Sequence, residues 1–200
     1  MADEYANLAT LKAQLNLDAT DDSRDEQLEQ ALEAASRGID RDTGRRFYLD
    51  STATARVINP LRRAVSDDDG DHLLIRDVGS LDGLVVEVGR GGVFTDITAS
   101  VEAEPTDALD EGRPVTSLLH LGGVWPRGGA QRVRITARWG WPAIPPEIAQ
   151  ATLLQASRLY KRKDSPEGVM GSAEWGVVRV ARIDPDVQAL IRTFVLPVFA

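Results

Sequence analysis

The spacing of apolar residues changes twice along this chain, from a helical period to a strand period and back again. Leu28, Leu32, Ala35 and Ile39 recur every three or four positions, which places them on one face of a helix. Between Arg132 and Trp139, polar and apolar residues alternate instead, as in a strand with one buried face. Helical spacing returns after residue 141. We therefore expect an α+β protein in which β-structure interrupts a set of helices.

This order predicts two domains. Residues 1–50 and 141–200 are expected to form a small helical bundle, and residues 51–140 an inserted antiparallel module resembling a β-sandwich or barrel. Short segments rich in β-branched residues, separated by turns rich in glycine and aspartate, are the expected strands. They are Thr54–Ile58, Leu73–Arg76, Leu84–Val88, Val93–Ile97, Leu118–Leu121 and Gln131–Trp139.

The helix boundaries carry recognisable signals. A short first helix is expected over Leu8–Leu15, and Ser23-x-x-Glu26 matches a capping box at the start of the second. Thr43-Gly44 is a typical C-terminal stop. Prolines precede a third helix over Glu147–Arg162, whose inner face is expected to carry Ile148, Ala151, Leu154 (or Gln155) and Leu159.

The C-terminal region contains the best candidate for an interface. A loop is expected over residues 164–174 and a strand over Trp175–Ile183, and Asp184-Pro185 then begins a last helix. The chain finishes on an apolar segment that should dock somewhere, either on a partner or on the helices of its own subunit. The side chains expected at this contact are Val187, Leu190, Ile191, Phe194 and Phe199. Trp125 and Trp175, in glycine-rich surroundings, are further candidates for subunit contacts.

Composition excludes several classes of protein. The chain has no cysteine, which removes disulfides, thiolate nucleophiles and common zinc sites, and its only histidines are His72 and His120. A net charge of −8 argues against a general nucleic-acid-binding protein. No apolar run is long enough to span a membrane, and the N-terminus lacks the pattern of a signal peptide, so synthesis is expected in the cytoplasm.

No motif predicts a metal, a cofactor or a catalytic residue. The acidic run Asp67–His72 places glycine fourth and Val78 twelfth, whereas a calcium-binding EF-hand loop needs glycine sixth and glutamate twelfth. The glycine-rich segment 89–92 lacks the lysine and hydroxyl residue of a phosphate-binding loop. No glycine-x-serine-x-glycine elbow is present. We expect a protein that is not an enzyme.

Two basic clusters follow predicted helix ends, Arg45-Arg46 and Lys161-Arg162-Lys163. They fit contacts to DNA in a channel or to an acidic partner surface. They also fit a favourable interaction of positive charge with the C-terminal end of a helix dipole, and this second interpretation is preferred.

The order of three sequence blocks resembles the head–tail connector (adaptor) family of long-tailed phages. The first runs from Leu11 to Phe47 and ends in Thr43-Gly44-Arg45 before an aromatic residue; the second, residues 133–151, ends a strand in Gly140-Trp141 and starts a helix after prolines. The third is the end of that helix, residues 159–162. The long insertion departs from shorter members and resembles adaptors of phages from actinobacteria, in agreement with the lysine-poor composition.

This resemblance implies a structural subunit of the phage neck. Such subunits form a ring with themselves, usually of twelve copies, under the portal protein; the ring extends the channel through which DNA passes without specific binding and carries the tail or a stopper protein. The C-terminal helix is then expected to bind the portal, and the two basic clusters to contact the channel or the portal. An alternative is a β-sandwich binding module on a helical base, recognising a carbohydrate or a capsid protein.

Overall fold

The computed structural model describes residues 4–162 and 184–196, together with the backbone of the short strands at 169–170 and 178–179. Helices and a seven-stranded antiparallel sheet confirm the predicted α+β class. The chain forms two compact units, residues 1–45 with 144–200 and residues 46–143, which we call the helical unit and the β-module. Within the described ranges, no helix combines the length and the apolar character needed to cross a membrane.

The helical unit contains α1 (Leu8–Gln14), α2 (Asp25–Thr43), α3 (Pro146–Arg162) and α4 (Pro185–Ile191). A 3₁₀ turn over Arg192–Phe194 extends α4. The first three helices bury a common apolar cluster, as the helical spacing predicts. Its buried members are Leu11, Leu28, Ala31, Leu32, Ala35, Leu153 and Ala156.

The sequence predicted the C-terminal end of α2 correctly but not its N-terminal end. The predicted capping box at Ser23 is wrong, because the helix begins at Asp25 and its N-cap, Arg24, makes no capping hydrogen bond. The Ser23 amide instead donates to Oδ1 of Asp21 at 3.0 Å, so the serine belongs to the preceding turn. The predicted stop is confirmed, since Gly44 follows α2 with a left-handed φ of 68°.

The buried face of α3 is wider than predicted. Ile148 and Ala151 are buried as expected, whereas Leu154 and Leu159 are only half-buried. The other buried residues of α3 are Thr152, Leu153, Ala156 and Ser157. The reason is that α3 packs against α1, α2 and α4, so that more than one face of the helix loses contact with water.

The region between α3 and α4 lies largely outside the described residues, including most of the predicted loop 164–174 and of the predicted strand Trp175–Ile183. Two short strands are described within it, β8 (Val169–Met170) and β9 (Val178–Arg179), which pair antiparallel.

The β-module contains seven strands. They are β1 (Thr54–Ile58), β2 (Ala64–Ser66), β3 (Asp71–Arg90), β4 (Val93–Asp96), β5 (Val101–Glu104), β6 (Val115–His120) and β7 (Arg132–Trp139). The predicted alternation in β7 is confirmed, because Val133, Ile135, Ala137 and Trp139 are all buried. These side chains enter one core with residues of β3 and β6, among them Leu73, Val78, Val86, Val115 and Leu118.

Strand β3 departs most from prediction. The segments Leu73–Arg76 and Leu84–Val88, expected as separate strands, belong to a single strand of 20 residues. Its register shifts between Leu74 and Val78 and again before Val85, so the alternation is broken where the strand bends. At Gly79 a side chain would lie 2.7 Å from the carbonyl carbon of Trp141, which explains why glycine occupies the bend.

The pairing of β3 fixes which strands form the two lateral sides of the module. Leu73 pairs with both Ala64 of β2 and Leu118 of β6, and Val78 pairs with both Val115 of β6 and Trp139 of β7. A residue of a strand can pair with one strand on its left and one on its right. Because both Leu73 and Val78 pair with β6, their other partners, β2 and β7, lie on the opposite side of β3. Val88 pairs with β4 and β7, which places β4 with β6. Both halves of β3 contribute to the same core, as in a sandwich.

Candidate interaction surfaces

The apolar face predicted on α4 is divided between the protein interior and its surface. Asp184 caps the helix by accepting a hydrogen bond from the Asp186 amide at 2.9 Å, and Arg158 of α3 binds its other oxygen at 3.1 Å. Val187 and Ile191 are only 2% and 4% exposed, and α4 packs on α3. Leu190 and Phe194 are half-buried, and Phe199 lies outside the described residues. Val187 and Ile191 thus pack within their own chain, the second of the two arrangements expected from sequence.

The segment after α4 is joined to the end of α2. The Leu196 amide donates to the Thr43 carbonyl at 2.9 Å, and Nε of Arg45 donates to the Phe194 carbonyl at 2.7 Å. Gly44 between them has its left-handed conformation, with the Leu196 side chain 3.8 Å from the position a Cβ would take. The threonine-glycine-arginine turn therefore holds the C-terminal segment.

The two predicted basic clusters have different surroundings. Arg45 is engaged by the Phe194 carbonyl, and Arg46 binds Asp50 at 2.6 Å while its guanidinium lies 4.5 Å from the centre of the Tyr48 ring. Lys161 and Arg162 are exposed at the end of α3, and no ion pair is found for them among the described residues. Lys163 is outside those residues. Of the predicted cations that are described, Lys161 and Arg162 are the more available to a partner.

The acidic segment after β2 forms a turn closed by its own polar groups. Oδ1 of Asp67 accepts from the amides of Asp69 and Gly70 and lies 2.9 Å from Nε2 of His72. Nδ1 of His72 lies 2.7 Å from Oε2 of Glu104 on β5. In the part of the chain that the structure describes, no group of three or more histidine or carboxylate side chains is arranged to hold a metal ion.

The position of His72 between two carboxylates shifts its titration. Burial alone would lower the pKa of His72, but the hydrogen bonds and charges of Asp67 and Glu104 outweigh it and raise that pKa above its ordinary value. For Asp67, burial alone would raise the pKa of the carboxyl group. Hydrogen bonds from backbone amides and from His72 outweigh burial and lower that pKa. The protonated imidazole donates from both nitrogens, so the charged form links the turn to β5.

A second polar cluster joins β3 to the loop before β7. Asp71 is 3% exposed, and its carboxylate accepts from the Trp125 amide at 2.6 Å, from Ser66 at 2.8 Å and from Arg127. Trp125 is 1% exposed and donates from its indole nitrogen to the Leu118 carbonyl at 3.1 Å. The predicted subunit contact at Trp125 is therefore wrong: the indole lies in the core. Trp175 lies outside the described residues.

A groove of about 520 Å³ opens beside this loop. His120 lines it, with its ring edge-on to Trp125 at a centroid distance of 5.3 Å. Its other lining residues are Val88, Ile97, Val124, Trp125, Pro126, Arg127 and Gln131. Arg127 is held by Asp71, and no carboxylate lines the groove beside His120. This arrangement is suited to contact with an apolar group rather than to proton transfer.

Solved structures provide comparisons for this fold. A chain from the neck of an empty gene transfer agent (GTA) particle, computed with C6 symmetry, matches with a TM-score of 0.55 and 23% identity, covering 96% of this chain and 90% of that one. Matches with lower TM-scores come from the virion of a native GTA particle (0.48; 22% identity; 88% and 80% covered) and from a native GTA neck computed with C12 symmetry (0.45; 21%; 100% and 97%). Protein-family models give no match, and neither do curated proteins.

The match at TM-score 0.55 shows that the helices and the inserted sheet together follow a fold that occurs in another protein. Its coverage of 96% includes both the helical unit and the β-module. The β-module therefore has a structural counterpart in that chain.

Proposed function

We propose that this chain is a structural subunit of the neck of a phage or phage-like particle. The observation that carries the proposal is the fold it shares, over nearly its whole length, with a chain from a GTA particle neck. The resemblance of its sequence to head–tail connectors leads to the same role from different evidence, because it rests on residues 11–47 and 133–162 rather than on the overall fold.

In this role, copies of the chain form a ring under the portal, extend the DNA channel, and provide the platform on which the tail or a stopper protein attaches. A neck computed with C6 symmetry contains repeated copies around one axis, which supports a ring. The connector resemblance favours twelve copies, the usual number in that family. The net charge of −8, together with the engagement of Arg45 and Arg46, favours passage of DNA without specific binding.

The C-terminal helix is the proposed contact to the portal. Leu190 and Phe194, half-buried in the isolated chain, retain apolar surface for such a contact, while Val187 and Ile191 fix α4 in place. The exposed Lys161 and Arg162 provide positive charge for an acidic portal surface.

A binding module on a helical base is the second candidate, and the groove beside His120 favours it. The burial of Trp125 weakens the carbohydrate version, because sugar recognition commonly uses an aromatic face that is open to the ligand. An apolar segment of a capsid protein remains the better match to the lining.

Cryo-electron microscopy of intact particles tests the proposal. We expect a symmetric ring of this chain below the portal, with α4 directed to the portal. Its absence from the neck, with the protein elsewhere in the particle or missing from it, would contradict the proposal and leave the binding module as the better candidate.

A further inference from the structure

Two segments on opposite lateral sides of the β-module carry opposite charge. Residues 54–64, which form β1 and the connection to β2, contain three arginines and no acidic residue. Residues 101–111, which form β5 and the turn after it, contain five acidic residues and no basic one. Since β1 and β2 lie on one side of the sandwich and β4 and β5 on the other, we call these the basic side and the acidic side.

Part of this charge is not compensated within the chain. Arg62 and Arg63 are exposed, and no ion pair is found for their side chains among the described residues. The same holds for the exposed Glu102, Asp107 and Asp110 on the acidic side. Other charges on these sides are already used: Arg56 lies over the Trp139 ring at 4.3 Å, and His72 binds Glu104.

Both sides also expose apolar side chains beside free strand edges. Val57, Leu61 and Val65 on the basic side are 57%, 52% and 49% exposed, and Val93 on the acidic side is 77% exposed. β1 pairs only with β7, β2 and β4 only with β3, and β5 only with β6, so each has one edge without a described strand partner. Such edges are ready to pair with another chain.

We propose that the basic side of one β-module docks on the acidic side of a second copy of this chain, with β1 beside the second copy's β4 and β2 beside its β5. Charge complementarity favours the acidic side of a second copy as the partner of the basic side, because a two-fold contact between identical sides would bring like charges together. The two sides lie on opposite flanks of the module, so the contact is head-to-tail and can repeat around a closed ring. The inference rests on the proposed ring and gives its inserted module the task of joining neighbouring subunits.

Cysteine cross-linking tests the contact directly, because the native chain has no cysteine. Particles would be assembled with the double variant Val57→Cys/Val93→Cys and oxidised. We expect a ladder of disulfide-linked multimers on a non-reducing gel, which disappears on reduction. The matched control is Leu74→Cys/Val93→Cys, because Leu74 is 37% exposed but lies on β3, one strand inside the free edge that β2 forms.

The outcomes separate this inference from the proposed function. A ring seen in the neck by cryo-electron microscopy, with no more cross-linking in the Val57 variant than in the control, overturns the lateral contact and leaves the neck assignment standing. Particles that lack the ring altogether overturn the proposed function itself.

Charge exchange provides an independent readout that does not need cysteines. Arg62→Glu/Arg63→Glu and Glu102→Lys/Asp110→Lys change exposed side chains, so both variants should fold. Each alone should reduce the copies per particle roughly tenfold or more, since like charges then meet at every contact. Co-expression of the two should restore incorporation, because alternating copies bring opposite charges together again. Failure of the mixture to recover, with both variants folded, contradicts the proposed pairing.

Discussion

At the scale of single residues, the polar groups of the β-module join segments that are distant in sequence. His72 links the turn after β2 to Glu104 on β5, and Asp71 links β3 to the loop that contains Trp125 and Arg127. Buried or half-buried polar groups stabilise a fold only when their partners are present, and they destabilise it strongly when one partner is removed. Each link is therefore a sensitive position for mutation.

The His72 link gives the stability of the β-module a dependence on pH. The folded-state pKa of His72 is raised, so the contribution of the link is full below the unfolded-state value of about 6.5 and is lost as pH rises through the folded value. We expect His72→Gln to lower the free energy of unfolding most between about pH 5 and 6.5, and progressively less above that range. Urea denaturation of both proteins across pH measures the difference.

The control for this prediction is Asp68→Asn, at an exposed position of the same turn, which should leave the dependence on pH unchanged. A difference between His72→Gln and the native protein that grows towards alkaline pH would show that the imidazole is not held as a cation.

Removal of the Asp71 carboxylate should strongly destabilise the protein. Asp71→Ala leaves the buried Trp125 amide without its acceptor and Arg127 without its ion pair. We expect a loss of about 2–4 kcal/mol in the free energy of unfolding. Asp69→Ala, in the exposed part of the turn, should stay within about 0.5 kcal/mol of the native protein. Chemical denaturation followed by tryptophan fluorescence compares them, and equal stability of the two variants would contradict the role given to Asp71.

At the scale of elements, prediction from sequence succeeded where one face of an element is buried throughout. The apolar spacing of α2 and the alternation of β7 both arise from a single buried face, and both elements were located correctly. β3 was divided because its bulges interrupt the alternation. β2 was missed because three residues are too few to show a period, and β5 because two of its four residues are glutamates, which are depleted in strands.

The candidate surfaces could likewise be predicted only where a local sequence pattern indicates them. The apolar face of α4 and the exposed end of α3 were visible in local sequence. Trp125 and Arg127, by contrast, lie 54 and 56 residues from Asp71, and Glu104 lies 32 residues from His72, so no local pattern indicates these contacts. The division of α4 into buried and accessible residues was also hidden, because it depends on the packing of α4 against α3.

The glycine that ends β7 should be indispensable. Gly140 has a φ of 110°, and a Cβ there would lie 1.8 Å from the Tyr48 carbonyl oxygen. Both the backbone conformation and the contact oppose a side chain, so we expect Gly140→Ala to destabilise the protein by about 2–4 kcal/mol. Gly128→Ala is the matched control, because no atom lies within 4 Å of its Cβ position. Thermal unfolding should show a large fall in Tm for the first variant only.

At the scale of the whole molecule, the β-module has the properties of an inserted domain. Its chain enters and leaves at one place, since the Asp50 amide donates to the Trp139 carbonyl at 2.8 Å and Gly140 lies against Tyr48. Adjacent termini allow an insertion without disturbing the host fold. Its core draws on side chains from Ile58 to Trp139, all of them within the module.

We therefore expect residues 46–143, expressed alone, to fold. A core centred on Trp125, Trp139 and β3, with the polar link at Asp71, lies wholly inside this fragment of about 100 residues, which is an ordinary size for a domain. The fragment should unfold cooperatively on heating and show a near-ultraviolet circular dichroism signal from its fixed tryptophans. Asp71→Ala should weaken the fragment as much as the full chain, because every partner of that carboxylate is retained. A fragment that lacks cooperative unfolding would show that the β-module depends on the helical unit, and the insertion would then be part of a single folding domain.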